Sequence, residues 1–381
     1  MSLPIPPDVL VALTGQPAAA LKQWIASLPR ADAADLPTLS SRLQEQGWLT
    51  AYQAGHLAEG RGEGLVVGQY VVLDELGHGS VGMVYKVRHR IMGRQAALKV
   101  FTPDSEESEN YTRFMREIQA TAQLDHPNII KAYEAGEHHG SYFLAMELVD
   151  GQNLQEKVDQ AGPMRWEESI KCHLDAAVGL GYAHSLGMVH RDVKPGNIML
   201  GKDGRVRVLD LGLVKFTRGL SNMATSMDGT VRGTAAYMAP EQAISIRNAD
   251  HRSDIYSLGS SLYFTITGQS MFPEKTVMQQ LLAHQKKPAP SIREKVPAVP
   301  DHLEKLYQHM VAKDPNARLQ SMAEVMTGLQ AIIQGTTPPV LRPPSRAGIS
   351  TTPSPKPEAK EGSMSWKRLL PFWRDKPSTK G

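Results

Sequence analysis

The stretch HRDVKPGNIML, His190 to Leu200, gathers His190, Arg191, Asp192, Lys194 and Asn197 within a few positions. Turn-forming Pro195 and Gly196 sit among them, and the apolar run Ile198, Met199 and Leu200 comes next. The cluster therefore reads as a polar loop feeding a short buried strand. A second group is made of glycine. In LGHGSVGMVYKV, Gly77, Gly79 and Gly82 fall between two strand-like runs, a spacing that lets backbone lie close over phosphates where a side chain would obstruct. A dinucleotide fingerprint uses similar glycines but opens a helix directly. Here Met83, Val84, Tyr85, Lys86 and Val87 continue as an alternating strand, so the glycines read as the tip of a β-hairpin. Lys99 stands in QAALKV between Leu98 and Val100. A lysine in an apolar run is costly unless paired, and Glu117 in RFMREIQATAQL, a helix by pattern, is an available partner.

The elements that must position these groups fall into regions. From Asp8 to about Gly64 the pattern is helical and rich in Ala and Leu, with Leu36, Leu39 and Leu43 on one face and Thr50 to Gln53 fitting a capping box. No cluster of titratable groups appears there, so this module, residues 1–66, reads as a packing or partner surface. From Tyr70 the chain alternates β-branched residues, then turns to longer helical patterns beyond about Gln152. Past Gly335, in residues 334–381, Pro, Ser, Thr and Lys dominate, too poor in apolar residues to fold, which reads as a disordered tail.

Composition bounds the rest. The chain has 381 residues, 41% of them hydrophobic, enough for one large two-lobed core or two domains with a tail. A net charge of +3, not concentrated on any one helix, calls for no nucleic-acid partner. The single cysteine, Cys172, forms no internal disulfide and no multi-cysteine metal site. No apolar run approaches the roughly 18 to 20 residues that span a bilayer, and the start, MSLPIPPDV, lacks the pattern of a signal peptide. The expected compartment is the cytoplasm.

Glycine hairpin, strand lysine, helix glutamate, HRDVKPGN, DLG and APE occur in one order over residues 70–333. In these motifs the chain resembles the eukaryotic-type protein kinase family, and in HPNII (His126 to Ile130) and MAPEQA (Met238 to Ala243) it is most similar to bacterial Ser/Thr kinases. The resemblance implies an α+β bilobal fold, a small antiparallel β lobe with one key helix and a larger helical lobe. It implies ATP with Mg²⁺ or Mn²⁺, and transfer of the γ-phosphate to Ser/Thr hydroxyls of proteins, the chain itself included, in bacterial signalling.

The same resemblance implies the site roles. Lys99, held by Glu117, meets the α- and β-phosphates; Asp210 and Asn197 hold metal; Asp192 accepts or orients the substrate proton; Lys194 steadies the γ-phosphate and marks the Ser/Thr pattern. Leu76, Val84, Ala97, Met146 and Met199 line the adenine slot, with backbone of Glu147 and Val149 supplying hydrogen bonds. His190 is structural, Glu241 pairs with Arg318, Asp254 braces the loop, and Thr234 belongs to the substrate platform. Arg191 receives a phosphorylated residue of the segment between Asp210 and Glu241, where Thr225, Ser226 and Thr230 are the expected sites and Asp228 can stand in part for their charge. Leu211 departs from the family's usual Phe but remains a large apolar group.

Blander readings exist for each residue. Asp192 could be a turn cap, Asp210 a strand-end turn residue, and Glu117 a solvated helix glutamate near Glu106, Glu107 and Glu109. The slot residues, one by one, could be plain core. A pseudokinase is the alternative function, yet Lys99, Asp192, Asn197 and Asp210 are all present. At the end of the chain Trp366, Leu369, Leu370, Phe372 and Trp373 interleave with Lys367, Arg368 and Arg374. They suit weak docking on a membrane surface or partner, against an unfolded tail interrupted by Pro371.

Overall fold

Proline divides the start of the chain into short helices: α1 (Pro7–Thr14), α2 (Ala18–Ser27) and α3 (Arg30–Ala34) each begin directly after a proline, Pro6, Pro17 and Pro29. Its missing N–H is no loss where a helix leaves its first donors unpaired. Helix α4 (Leu36–Glu45) is capped by the Asp35 carboxylate, and α5 (Ala51–Ala58) by a capping box of Thr50 and Gln53. The computed structural model describes residues 5–78, 82–103, 109–210, 235–244, 249–336 and 338.

Next comes an antiparallel six-stranded sheet in the order β1-β2-β3-β4-β6-β5. Its strands are β1 (Val66–Val67), β2 (Tyr70–His78), β3 (Met83–His89), β4 (Gln95–Phe101), β5 (Ala132–His138) and β6 (Ser141–Met146). Period-two alternation sorts its side chains. Val71, Val87, Leu98, Phe143 and Ala145 share one core with Leu10, Leu13, Leu39, Leu43 and Leu57 of the helical module. Ala97, Leu144 and Met146 belong to a separate core with Phe114 of α6 (Glu109–Thr121). The boundary between residues 66 and 70 is thus one of sequence pattern, and a hydrophobic core crosses it.

The larger lobe is built on α7 (Leu154–Ala161) and α8 (Trp166–Ser185), a small sheet in the order β7-β8-β9, and six further helices among the described residues. The strands are β7 (Gly151–Asn153), β8 (Ile198–Gly201) and β9 (Val206–Val208). The helices are α9 (Pro240–Ile244), α10 (Arg252–Thr267), α11 (Val277–Lys286), α12 (Ile292–Lys295), α13 (Asp301–Met310) and α14 (Met322–Ile333). Helix α10 is buried on every side from Ser253 to Ile266. Its small residues permit close packing: a Cβ on Gly259 would stand 2.8 Å from Val311 Cγ1. Among the described residues no helix is long and apolar enough to cross a membrane.

Candidate active site

The polar loop between α8 and β8 is fixed from α10. The buried Asp254 carboxylate accepts from the backbone N–H of His190 at 2.8 Å and of Arg191 at 2.7 Å, and its Oδ2 lies 2.8 Å from His184 Nε2. Held this way, Arg191 takes a left-handed φ of 62°, uncommon for a residue with a side chain. Its carbonyl accepts from Gln242 Nε2 at 3.0 Å.

His190 sets the next link. Its Nδ1 accepts from the Asp192 N–H at 3.2 Å, so the ring proton resides on Nε2 and is donated to the Leu209 carbonyl at 2.9 Å. The Leu209 N–H in turn donates to the Asn197 carbonyl at 2.8 Å. Both backbone groups of the residue before Asp210 are therefore tied to the loop that carries Asp192 and Asn197. Asp210 has a φ of 45°, a second left-handed position at this junction.

Side chains converge here. Asn197 Nδ2 donates to the Asp192 carbonyl at 2.8 Å and to Asp192 Oδ2 at 3.0 Å, and Lys194 Nζ stands 3.3 Å from the same Oδ2. The buried Asp192 carboxylate thus faces a cation and an amide donor, which offsets its desolvation. From the small lobe Lys99, 0% exposed, donates from Nζ to Asp210 Oδ1 at 3.2 Å. Glu117 lies on α6, but its side chain is not among those described.

Around these groups, Gly82 has a φ of 78°, and a Cβ there would stand 2.0 Å from the Val100 carbonyl oxygen, so only glycine lets β3 leave the hairpin this way. Gly77 has a φ of 139°, and Gly79 lies outside the described residues. Val84 opposes Lys99 across β3 and β4, and Ala97 opposes Met146 across β4 and β6. Val84, Ala97, Met146, Val149 and Leu209 join one apolar cluster, while Leu76 is half exposed and Met199 half-buried on β8. The Glu147 side chain binds Arg207 Nε at 2.9 Å. Burial pushes the Cys172 thiol up to about 12, which removes it from thiolate chemistry at neutral pH.

Glu241 and Arg318 form a two-pronged pair, Nη1 to Oε1 at 2.8 Å and Nη2 to Oε2 at 3.0 Å. The arginine also donates to the carbonyls of Ala312 and Arg252. Thr225, Ser226, Thr230, Thr234, Asp228 and Leu211, with the aromatic end from Trp366 onward, lie outside the described residues. Two positions escaped the sequence reading: His184, which shares Asp254 with the loop, and Gln242, which holds the Arg191 carbonyl. Gln242 directly follows the APE motif, the one signal that could have pointed to it.

Residues 70–328 match the family model described as the protein kinase domain. The chain is 34% identical over 261 residues to the probable serine/threonine-protein kinase PknB of Lactococcus lactis, covering 68% of this chain and 41% of that one. It is 32% identical to the serine/threonine-protein kinase PrkC of Bacillus subtilis, with 68% and 40% covered. To the serine/threonine-protein kinase PknB of Mycolicibacterium smegmatis it is 32% identical, with 79% and 52% covered. The chain thus spans about half the length of these relatives, or less.

Proposed function

The chain belongs to the protein kinase family, and from that premise we propose that it is an ATP-dependent serine/threonine protein kinase acting on proteins, itself included. Protein kinases use ATP and a divalent metal ion as a class. The observation that carries this reading is the convergence of Lys99 and Asp210 from one side with Asp192, Lys194 and Asn197 from the other, joined through Leu209. A pseudokinase scaffold is less well supported, since Lys99, Asp192, Asn197 and Asp210 are all in place.

The donor set suits a hard cation. Asp210 offers carboxylate oxygen, and Asn197, whose Nδ2 is committed to Asp192, is left with its amide oxygen to offer. Among the described residues there is no group of three or more His, Cys, Asp or Glu that could hold a metal ion alone. Substrate phosphates and water complete the shell of a Mg²⁺ or Mn²⁺ held by so few protein donors. The metal, when bound, neutralises charge on the phosphates.

The chain's own residues do the rest. Lys99, desolvated on β4, places a fixed cation on the α- and β-phosphates, with Glu117 as its partner on α6. The adenine base rests among Leu76, Val84, Ala97, Met146 and Met199, and backbone of Glu147 and Val149 orients it. Asp192 accepts or orients the proton of the substrate hydroxyl, aligning oxygen with phosphorus, while Lys194 steadies the γ-phosphate. Exchanging Asp210 for Asn leaves phosphate charge uncompensated, so Asp210→Asn is expected to lower transfer by about a thousandfold or more in a purified assay. Circular dichroism should stay close to wild type; more than about a tenth of wild-type transfer overturns the metal assignment.

A further inference from the structure

Strand β2 carries two irregularities on its way to the glycine hairpin. Val72 pairs with Val87 and Asp74 with Lys86, so Leu73 is an extra residue; Glu75 pairs with Tyr85 and Gly77 with Val84, so Leu76 is a second. Each such bulge bends its strand and re-aims the residues beyond it. The first is held from outside the sheet, by the helical module.

The holding groups are the capping box of α5. Thr50 Oγ1 accepts from the Gln53 N–H at 3.1 Å and donates to the Leu73 carbonyl at 2.6 Å. Gln53 Oε1 accepts from the Thr50 N–H at 2.9 Å, and its Nε2 donates to the Val72 carbonyl at 2.7 Å. A capping box needs its side chains only for its own helix. Here both also take consecutive carbonyls of the bulge. Gln53 is 1% exposed and Val72 is buried as well, so a lost bond has no water to replace it. Leu76 and Gly77 lie three and four residues beyond Leu73, roughly 10 Å along the strand.

We propose that Thr50 and Gln53 are positioning residues for the nucleotide, through which the helical module sets the pitch of the glycine hairpin over the phosphates. The inference rests on the kinase reading of the site. Neither residue touches the nucleotide; each acts by fixing the β2 bulge.

The test uses the full chain, with a fluorescent ATP analogue for affinity and steady-state phosphotransfer for KM and kcat. Gln53→Met and Thr50→Val keep size and remove the bonds to β2, Thr50→Ser keeps the hydroxyl, and Leu39→Ala weakens the shared core while leaving both bonds to β2 in place. Gln53→Met and Thr50→Val should raise the analogue's Kd and the KM for ATP about fivefold or more with kcat within about twofold, the signature of lost binding rather than lost chemistry. Thr50→Ser should behave as wild type. Leu39→Ala should melt lower yet keep its KM at a temperature well below melting. Should Gln53→Met not fold, the less buried Thr50→Val decides. Affinities of folded Gln53→Met and Thr50→Val within about twofold of wild type overturn the inference, as does a Leu39→Ala chain that weakens nucleotide binding equally. A wild type that binds the analogue but transfers no phosphate contradicts the kinase reading instead, and the variant affinities still decide the positioning role.

Discussion

His173 on α8 and His284 on α11 are buried and neutral, and acid bears on both. His173 Nδ1 donates to the Ser169 carbonyl at 2.8 Å, and burial lowers its pKa to about 4. His284 Nε2 donates to the Ala236 carbonyl at 3.0 Å while Nδ1 accepts from the Tyr256 hydroxyl at 2.8 Å; burial, then the charge of Lys313, lower it to about 3. In the unfolded chain both take up protons near pH 6.5, and in the folded chain they do not. The unfolded state then binds more protons, so stability is lost as pH falls below about 6.5, by about 2 kcal/mol for each histidine at pH 5. Thermal melts at pH 7.5 and pH 5 should show that loss, and His284→Gln should reduce it; an unchanged loss in the variant rules His284 out as its source. Asp192, Lys194 and Asn197 were legible in sequence because they lie on one short loop. His184 and Gln242 were not, because a donor that braces a loop from another element leaves no spacing to read.

Among elements, the loop preceding β8 meets α9 at Arg191, whose carbonyl accepts from Gln242. The Nε of this arginine is buried and has no hydrogen-bond partner among the described residues, and its Nη2 donates to the Ala249 carbonyl at 3.4 Å. We propose that phosphate on Thr225, Ser226 or Thr230 supplies an acceptor to Arg191. The triple alanine variant at these three positions should show roughly tenfold slower transfer, read together with mass spectrometry of the wild-type segment. Full activity with no phosphate in the segment contradicts this control. The strand after the glycines was readable from the alternation of Met83 to Val87, and the capping box of α5 from Thr50 and Gln53 alone. The bulge at Leu73 was not, because it depends on which carbonyls the neighbouring module takes.

For the whole molecule, the sequence divided module, catalytic region and tail by composition, but the core shared by the first two was only hinted at. Tyr70, Val71 and Val72 are apolar in succession and all buried, a sign of a sheet covered on both faces. Nothing in that run tells which helices do the covering; Leu39, Leu43 and Leu57 show only that some apolar face exists. The small lobe therefore combines helices and sheet in one core, and its Lys99 meets Asp210 beside a loop that α10 braces through Asp254, while Arg318 ties Glu241 to the Arg252 carbonyl of α10. Phosphotransfer at that junction is the activity proposed for this chain. The most direct measurement is mass spectrometry of phosphate moved from ATP with Mg²⁺ onto the purified chain and onto a generic serine- and threonine-bearing protein, for wild type and Asp192→Asn. Phosphoserine or phosphothreonine is expected with wild type, and about a thousandfold less with Asp192→Asn. Wild type that moves no phosphate, or an Asp192→Asn chain that retains more than about a tenth of the activity, contradicts it.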